Sequence, residues 1–256
     1  MDANSTLLFA VVLCFLIAFV FSMFGQGGGS IYSPLLILLG LPILLSTSTS
    51  LVLNLITSLS AGYIFYRRKM IDFKTSLIFA PGIAIGAFAG GVISRTVDTT
   101  ALMWMFVVFL LGVGARMIYS YWEAERPEGE PPASFSPAMY ALIALVGLAV
   151  GLIAGLLGVG GGILIVPFMV YVCKYPTKWA AGSSHLIISI SALAGILGHM
   201  TSHSLDARLI FVLGIAVLLG GNLGARTSMR FKAKTIRAGL GLIMWGFAGA
   251  ILVTRL

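Results

Sequence analysis

Long apolar runs separated by short polar segments dominate this chain. Ten runs occupy residues 5–24, 30–45, 46–66, 74–94, 99–121, 137–157, 163–173, 178–200, 206–226 and 236–254. A helix needs ~20 apolar residues to cross a bilayer, and all the runs except the second and the seventh approach that length. With 59% hydrophobic and 9% charged residues, the composition excludes an ordinary soluble domain. The pattern therefore predicts an all-α polytopic membrane protein.

The two halves of the chain repeat one another. GQGGGSIYSP at 25–34 and GVGGGILIVP at 158–167 share four glycines and a proline at an offset of 133. Later segments match in the same order, which a chance similarity between two glycine-rich stretches does not explain. We therefore predict a first transmembrane repeat at 1–121, a polar linker at 122–136 and a second transmembrane repeat at 137–256.

The basic residues predict how the repeats are oriented. If each glycine stretch turns the chain back as a hairpin, 13 of the 16 Lys and Arg residues fall on one side; a single crossing divides them 8 and 8. Because loops rich in Lys and Arg stay in the cytoplasm, the hairpin arrangement is favoured. The predicted fold is two inverted repeats, each with a broken Gly-rich helical hairpin followed by three transmembrane helices, with a cytoplasmic linker.

The glycine stretches carry the strongest functional signal. Short segments interrupted by Gly and Pro, at matching places in two halves, are typical of a transporter's substrate site. A helix that starts after such a turn presents free N–H groups and a partial positive charge, which suits an anion. The predicted substrate-binding residues are Gln26, Gly27, Gly28, Gly29 and Ser30, together with Gly160, Gly161 and Gly162. Close helix packing is the alternative role, and we favour it for Gly86, Gly90 and Gly241.

A polar helix follows each hairpin and supplies further candidates. Hydroxyl and amide groups can donate to an oxyanion without holding it permanently, which suits transport. The candidates are Ser48, Thr49, Ser50 and Asn54 in the first repeat, and Ser183, Ser184 and His185 in the second. Interhelical hydrogen bonding is the alternative explanation for about half of them.

The histidines are open to two interpretations. His185 lies within an apolar segment, where it could carry a proton, aid anion binding or serve a structural role. His199 and His203 have a spacing compatible with a metal, but no further ligand accompanies them. We interpret these two as a pair at the membrane interface.

The sequence lacks the usual signatures of an enzyme. GVGGGI has no Gly-Lys-Ser/Thr ending, so it is not a nucleotide-binding loop, and Ile163 breaks the dinucleotide fingerprint. We expect no enzymatic activity, no cofactor and no metal. The basic residues lie in short loops, so nucleic acid is not an expected partner. The expected partners are a small anion and membrane lipid, with a homodimer left open.

The chain resembles the sulfite exporter TauE/SafE family of bacterial membrane permeases. The resemblance rests on the duplicated GxGGGxxxxP hairpin, the Ser-rich helix after it and the glycine-rich closing helix, and it covers nearly the whole chain. It implies a multi-pass protein of the bacterial inner membrane that exports sulfite or an organosulfonate such as sulfoacetate. The residues alone indicate a secondary transporter for an anion. An anion channel, an importer of a related sulfur compound and an intramembrane enzyme or assembly factor are the alternatives.

The predicted topology can be tested by labelling single cysteines on a background without Cys14 and Cys173. Met70→Cys and Gly129→Cys should be protected from an impermeant thiol reagent in intact cells, because both positions are predicted to be cytoplasmic. Ser204→Cys should react. Labelling of Met70→Cys with protection of Ser204→Cys would overturn the inverted arrangement.

Overall fold

A computed structural model describes residues 3–119, 122, 129–200, 206–228 and 233–254. The elements in these ranges are helices. They are α1 (Ala3–Met23), α2 (Gly29–Leu38), α3 (Ile43–Arg67), α4 (Phe73–Ile93), α5 (Thr99–Tyr119), α6 (Pro137–Leu157), α7 (Gly162–Pro167), α8 (Thr177–Met200), α9 (Ala207–Thr227) and α10 (Ala233–Thr254). The predicted all-α class is confirmed.

Six of the described helices are long and apolar enough to cross a membrane, namely α3, α4, α5, α6, α8 and α9. Their outer surfaces carry large apolar side chains, such as Leu77, Ile85 and Phe88 on α4, which are 62%, 63% and 46% exposed. Water would not tolerate so large an apolar surface, whereas lipid does. The chain is therefore a multi-pass membrane protein.

The two short runs form half-length helices. α2 has 10 residues, and α7 has 6 before it continues as a π-helical turn at Phe168–Val172. At ~1.5 Å per residue each segment extends about 15 Å, half of the ~30 Å hydrocarbon thickness. The predicted boundary at 45/46 is wrong, because α3 already begins at Ile43. Pro42, with φ of −57°, stands immediately before α3, where its missing N–H costs nothing.

The helices of the two halves pack in a symmetrical pattern. α1 packs on α9 while α4 packs on α6, and α3 and α5 pack on their counterparts α8 and α10. α3 and α8 run antiparallel, because Gly62 lies beside His185 while Gly195 lies beside Leu51. Inverted repeats require this geometry. The inversion across the membrane and the boundaries of the repeats remain predictions.

Glycines allow α4 and α6 to approach closely. A Cβ built on Gly86 or Gly90 would collide with the backbone of α6, and one built on Gly151 would collide with the backbone of α4. Gly241 on α10 is packed in the same way, with an ideal Cβ 2.6 Å from the carbonyl oxygen of Gly114. The packing role predicted for Gly86, Gly90 and Gly241 is confirmed.

Enlarging a glycine in this contact should destabilise the fold. Gly86→Leu would place a side chain against Leu148 and 2.8 Å from the Leu152 nitrogen, so we expect a loss of about 1–3 kcal/mol. Gly112→Leu is the matched control, because a Cβ there meets nothing within 4 Å. Thermal unfolding of the purified variants measures the difference. Equal melting temperatures for both variants would contradict the packing role.

Candidate functional site: two glycine turns

The chain breaks between α1 and α2 and again between α6 and α7. We call residues 24–28 the first turn and residues 158–161 the second turn. Gly25 and Gly27 have φ of +71° and +75°, and the corresponding Gly158 and Gly160 have φ of +70° and +75°. Such backbone is strained for residues with a Cβ, so the repeated glycines are required by conformation.

The two turns touch each other through their backbones. A Cβ on Gly29 would lie 2.5 Å from the carbonyl oxygen of Val159, and a Cβ on Gly162 would lie 2.9 Å from that of Gln26. These contacts are reciprocal, because Val159 follows Gln26 at the same offset of 133 that relates Gly162 to Gly29. The beginnings of α2 and α7 therefore meet at one point.

Two side chains of α3 hold this meeting point together. Asn54, halfway along the helix, donates from Nδ2 to the carbonyl oxygen of Val159 at 3.1 Å. Ser50 Oγ lies 2.8 Å from the Gly158 carbonyl oxygen and 3.1 Å from that of Gly29. Both side chains are fully buried. Ser50 therefore bridges the two halves of the chain.

Ser184 on α8 repeats the role of Ser50. Its hydroxyl donates to the carbonyl oxygen of Gly25, as the Ser50 hydroxyl does to that of Gly158. The centre is not symmetrical, however. At an offset of 134, the residue that corresponds to Asn54 is Ile188, whose side chain lies against Gly162. One polar residue and one apolar residue therefore face each other across the turns.

His185 supports the end of α1. Its Nε2 lies 3.0 Å from the carbonyl oxygen of Ser22, and because a carbonyl can only accept, Nε2 must carry the proton. The ring also packs on Phe65, with the centroids 5.5 Å apart. The same carbonyl, at the end of α1, also accepts from the N–H of Gly25 at 3.4 Å, so His185 gives it a second partner. Of the roles considered for His185, these contacts support the structural one.

The turns leave both donors and acceptors of hydrogen bonds without partners among the described residues, including the side-chain oxygens Gln26 Oε1 and Asn54 Oδ1. Donors on α3 and α8 satisfy the carbonyl groups of Ser22, Gly25, Gly29, Gly158 and Val159. Within the described ranges no acceptor is found for the N–H groups of Gly28, Gly29, Ser30, Gly161, Gly162 and Ile163. Buried N–H groups are normally paired, so the site is complementary to a ligand with hydrogen-bond acceptors.

Five of the predicted side chains have buried atoms without a partner in the described structure. They are Gln26 Oε1, Ser30 Oγ, Thr49 Oγ1, Asn54 Oδ1 and His185 Nδ1. A buried polar atom without a hydrogen bond costs free energy, and native structures retain few of them. Gln26 belongs to the first turn, and the other four lie on helices around the turns. Ser33, Ser58 and Ser191 have such atoms too, so the unsatisfied polarity includes the candidate site and extends beyond it.

Two predicted glycines face away from the meeting point. A Cβ on Gly28 would lie 2.5 Å from the ring of Tyr32, and a Cβ on Gly161 would lie 2.7 Å from Val150. Both would touch side chains that pack behind the turns. The backbone atoms of these two residues belong to the turns, but a side chain added at either position would point away from the meeting point.

Ser48 and Ser183 are also turned away from it. Ser48 Oγ donates to the carbonyl oxygen of Leu44 in its own helix at 2.9 Å. Ser183 Oγ accepts from the backbone N–H of Asp72, before α4, at 2.9 Å. Both helices begin earlier than predicted, which places these residues in the second turn of each helix. Their hydroxyls therefore serve local structure.

Asp72 belongs to a polar cluster at the start of α4. The Tyr175 hydroxyl donates to its carboxylate and lies 2.6 Å from Thr75 Oγ1. Burial raises the pKa of Tyr175, and its hydrogen bond to Asp72 raises it further. The phenol therefore stays protonated at neutral pH and fixes the connection before α8 to α4.

His199 is buried at the end of α8. It is 2% exposed, and its Nε2 lies 2.9 Å from the carbonyl oxygen of Gly155 on α6. It lies in the last turn of α8, as predicted, but its ring is covered by protein, because Gly91 lets α4 approach this end of α8. Its position at the membrane interface stays a prediction. His203 lies outside the described residues.

Comparison with known proteins agrees with a transporter. The family model described as "Sulfite exporter TauE/SafE" matches residues 10–251. A probable membrane transporter protein of Bacillus subtilis, YunE, is 29% identical over 88% of this chain and 90% of its own length. A probable membrane transporter protein of Methanocaldococcus jannaschii, MJ0441, is 24% identical over 91% of both chains. No solved structure matches.

Removing the bridge between the turns should weaken the fold. Ser50→Ala leaves the buried carbonyls of Gly29 and Gly158 without this donor, so we expect a loss of about 1–3 kcal/mol. Ser60→Ala is the matched control on the same helix, because its hydroxyl bonds the carbonyl of Leu218 at an exposed position. Chemical unfolding in mild detergent compares the two. A smaller loss for Ser50→Ala than for Ser60→Ala would refute the bridging role.

Proposed function

This chain belongs to the sulfite exporter TauE/SafE family, and from that premise we propose that it is a secondary transporter of the bacterial inner membrane. The proposed cargo is a small sulfur-containing oxyanion, either sulfite or an organosulfonate such as sulfoacetate. The proposed route passes through the point where the two glycine turns meet. The relatives described as probable membrane transporter proteins support transport, while the choice of cargo rests on the family and on the site.

The unpartnered N–H groups at the turns are the observation that carries the anion. Unwound backbone in a membrane can bind a cation through its carbonyls or an anion through its N–H groups. Here Ser50, Asn54 and Ser184 already occupy carbonyl groups of both turns. The N–H groups around Gly28 and Gly161 lack acceptors among the described residues. Because Gln26 Oε1 and Asn54 Oδ1 also lack a partner, the choice of an oxyanion over a cation rests on these N–H groups together with the family.

The absence of a fixed charge among the residues predicted for the turns suits release. Gln26 and Ser30 are neutral, Ser50 and Asn54 already donate to carbonyls of the turns, and no Lys or Arg lies within residues 24–34 or 158–167. A transported ligand must leave as readily as it binds, and neutral donors hold an oxyanion less tightly than a guanidinium would. We expect micromolar to millimolar affinity, which corresponds to about 4–8 kcal/mol of binding free energy.

The membrane potential can drive export without a nucleotide. A cytoplasm that is negative relative to the outside favours the exit of an anion by ~2.3 kcal/mol per charge per 100 mV. This drive applies if net negative charge moves. If a proton accompanies the anion, the cycle responds to a pH gradient, and His185 is then the candidate carrier.

Transport in proteoliposomes tests this function. Vesicles loaded with radiolabelled sulfite or sulfoacetate should lose label faster when the potential is negative inside. Gly29→Ala should reduce the rate at least tenfold, because its Cβ would lie 2.5 Å from the Val159 oxygen. Gly249→Ala should transport normally, because a Cβ there meets nothing within 4 Å.

The possible outcomes separate the alternatives. Counterflow that saturates with substrate identifies a carrier, whereas flux that rises linearly with concentration identifies a channel. Uptake against the potential would identify an importer. Exchange of a cation or a neutral solute, with no exchange of sulfite or sulfonates under either gradient, would refute the proposed cargo.

A further inference from the structure

A groove of about 470 Å³ lies at the protein surface between the ends of α3 and α9. We call it the arginine groove. Its walls carry three cationic side chains and no acidic one, and they consist of Tyr63, Ile64, Arg67, Arg68 and Arg226. Both helices are long enough to cross the membrane and end at this groove. Its charges therefore lie where hydrocarbon gives way to lipid headgroups.

Arg68 fixes the shape of the arginine groove. Its guanidinium donates to the carbonyl oxygens of Ala225 and Arg226, the second at 3.1 Å. These carbonyls belong to the last turn of α9, where free oxygens give a helix end a partial negative charge. Arg68 therefore joins the two helices and covers oxygens that would repel an anion. Because its N–H groups serve α9, we assign it a positioning role only.

Arg226 and Arg67 bring two further cations to the groove. Among the described residues, the Arg226 guanidinium has no hydrogen-bond or ionic partner, and Arg67 bonds only the phenol oxygen of Tyr63, at 3.3 Å. Both arginines are exposed, and neither forms an ion pair within the described ranges. Like charges in one groove repel each other, and an anion between them removes that cost. A phosphate group matches a guanidinium in charge and in the spacing of its oxygens.

An apolar stripe leads from each of these arginines into the membrane. On α3, Leu59 and Tyr63 precede Arg67 at intervals of four residues, so all three share one face of the helix. On α9, Leu223 precedes Arg226 by three residues and shares its face in the same way. All three of the stripe side chains are exposed. A ligand bound at the arginines therefore has uncovered hydrocarbon on its membrane side.

We propose that the arginine groove binds an anionic phospholipid. Arg226 and Arg67 bind the headgroup phosphate, and the acyl chains lie along the exposed faces of α3 and α9. The distribution of Lys and Arg predicts that this end of both helices faces the cytoplasm, where the membrane surface is negatively charged. The bound lipid relieves the repulsion between the arginines and holds the two helix ends together. The site is separate from the glycine turns and does not depend on the proposed function.

The alternative occupant is a soluble anion, such as inorganic phosphate or the transported oxyanion, which carries the same kind of charge. A soluble anion would make no contact with Leu59 and Leu223, which lie on the membrane side of the arginines. A phospholipid covers both features at once, because its phosphate and its acyl chains are joined in one molecule. The combination of paired arginines and apolar stripes therefore favours the lipid.

The test is lipid titration of the full chain in a neutral detergent, followed by native mass spectrometry. Phosphatidylglycerol should bind more tightly than phosphatidylcholine, whose choline group the arginines repel. Arg226→Gln should lower the affinity for phosphatidylglycerol about fivefold, and the double variant with Arg67→Gln about 25-fold. Arg208→Gln is the matched control, because it removes the same charge from an exposed position at the opposite end of α9. It should leave the affinity unchanged.

A second pair of variants tests the apolar stripes. Leu223→Gln should lower the affinity for phosphatidylglycerol about fourfold, the factor expected for one buried methylene. Leu197→Gln is its control, because Leu197 is similarly exposed but lies on α8 outside the groove. Melting temperatures measured without added lipid should be the same for all these variants, which separates lost binding from lost folding.

Three results would overturn the proposal. Equal affinity for the two lipids would show that the groove does not select an anionic headgroup. Displacement of phosphatidylglycerol by an equal concentration of glycerol 3-phosphate or sulfite would identify a site for a soluble anion. An effect of Arg208→Gln as large as that of Arg226→Gln would mean that overall charge attracts the lipid. None of these measurements involves transport, so the proposed function can fail while the lipid site stands.

Discussion

Backbone touches backbone where the two halves of this protein meet, and the rest of the structure follows from that contact. Only glycine at positions 29 and 162 allows the carbonyls of Val159 and Gln26 to come so close. Polar backbone exposed in the middle of a membrane would be costly without partners. Ser50, Asn54 and Ser184 supply them, and the long helices that carry these residues become the centre of the fold.

The remaining helices surround this centre in pairs. The α4–α6 pair relies on glycines, because apolar side chains gain little from leaving lipid for another apolar surface. Close approach gives van der Waals contact that lipid cannot match. Gly86 and Gly90 are therefore needed for close packing. Gly25 and Gly158 are needed for a different reason, which is their positive φ.

Much of this fold could be predicted from the sequence. The length of each apolar run indicates a membrane helix, and the Gly and Pro residues indicate where the helices are interrupted. The start of α3 was misplaced, since the run at 30–45 stays apolar through the turn at Pro42. Among the site residues, Asn54, Ser50 and Ser184 follow from the polar stripe. Ser48 and Ser183 do not reach the turns, because hydroxyl direction depends on helix rotation that composition does not encode. That Ile188 and the Val159 carbonyl belong to the site can be inferred from the sequence only by aligning the two repeats.

The duplication has not kept the two halves chemically equal. At the repeat offset of 134, Asn54 corresponds to Ile188. The meeting point of the turns therefore has an amide on the α3 side and a hydrocarbon side chain on the α8 side. The symmetry that relates the backbones of the two halves does not extend to these side chains, so the environment at the turns differs from one side to the other.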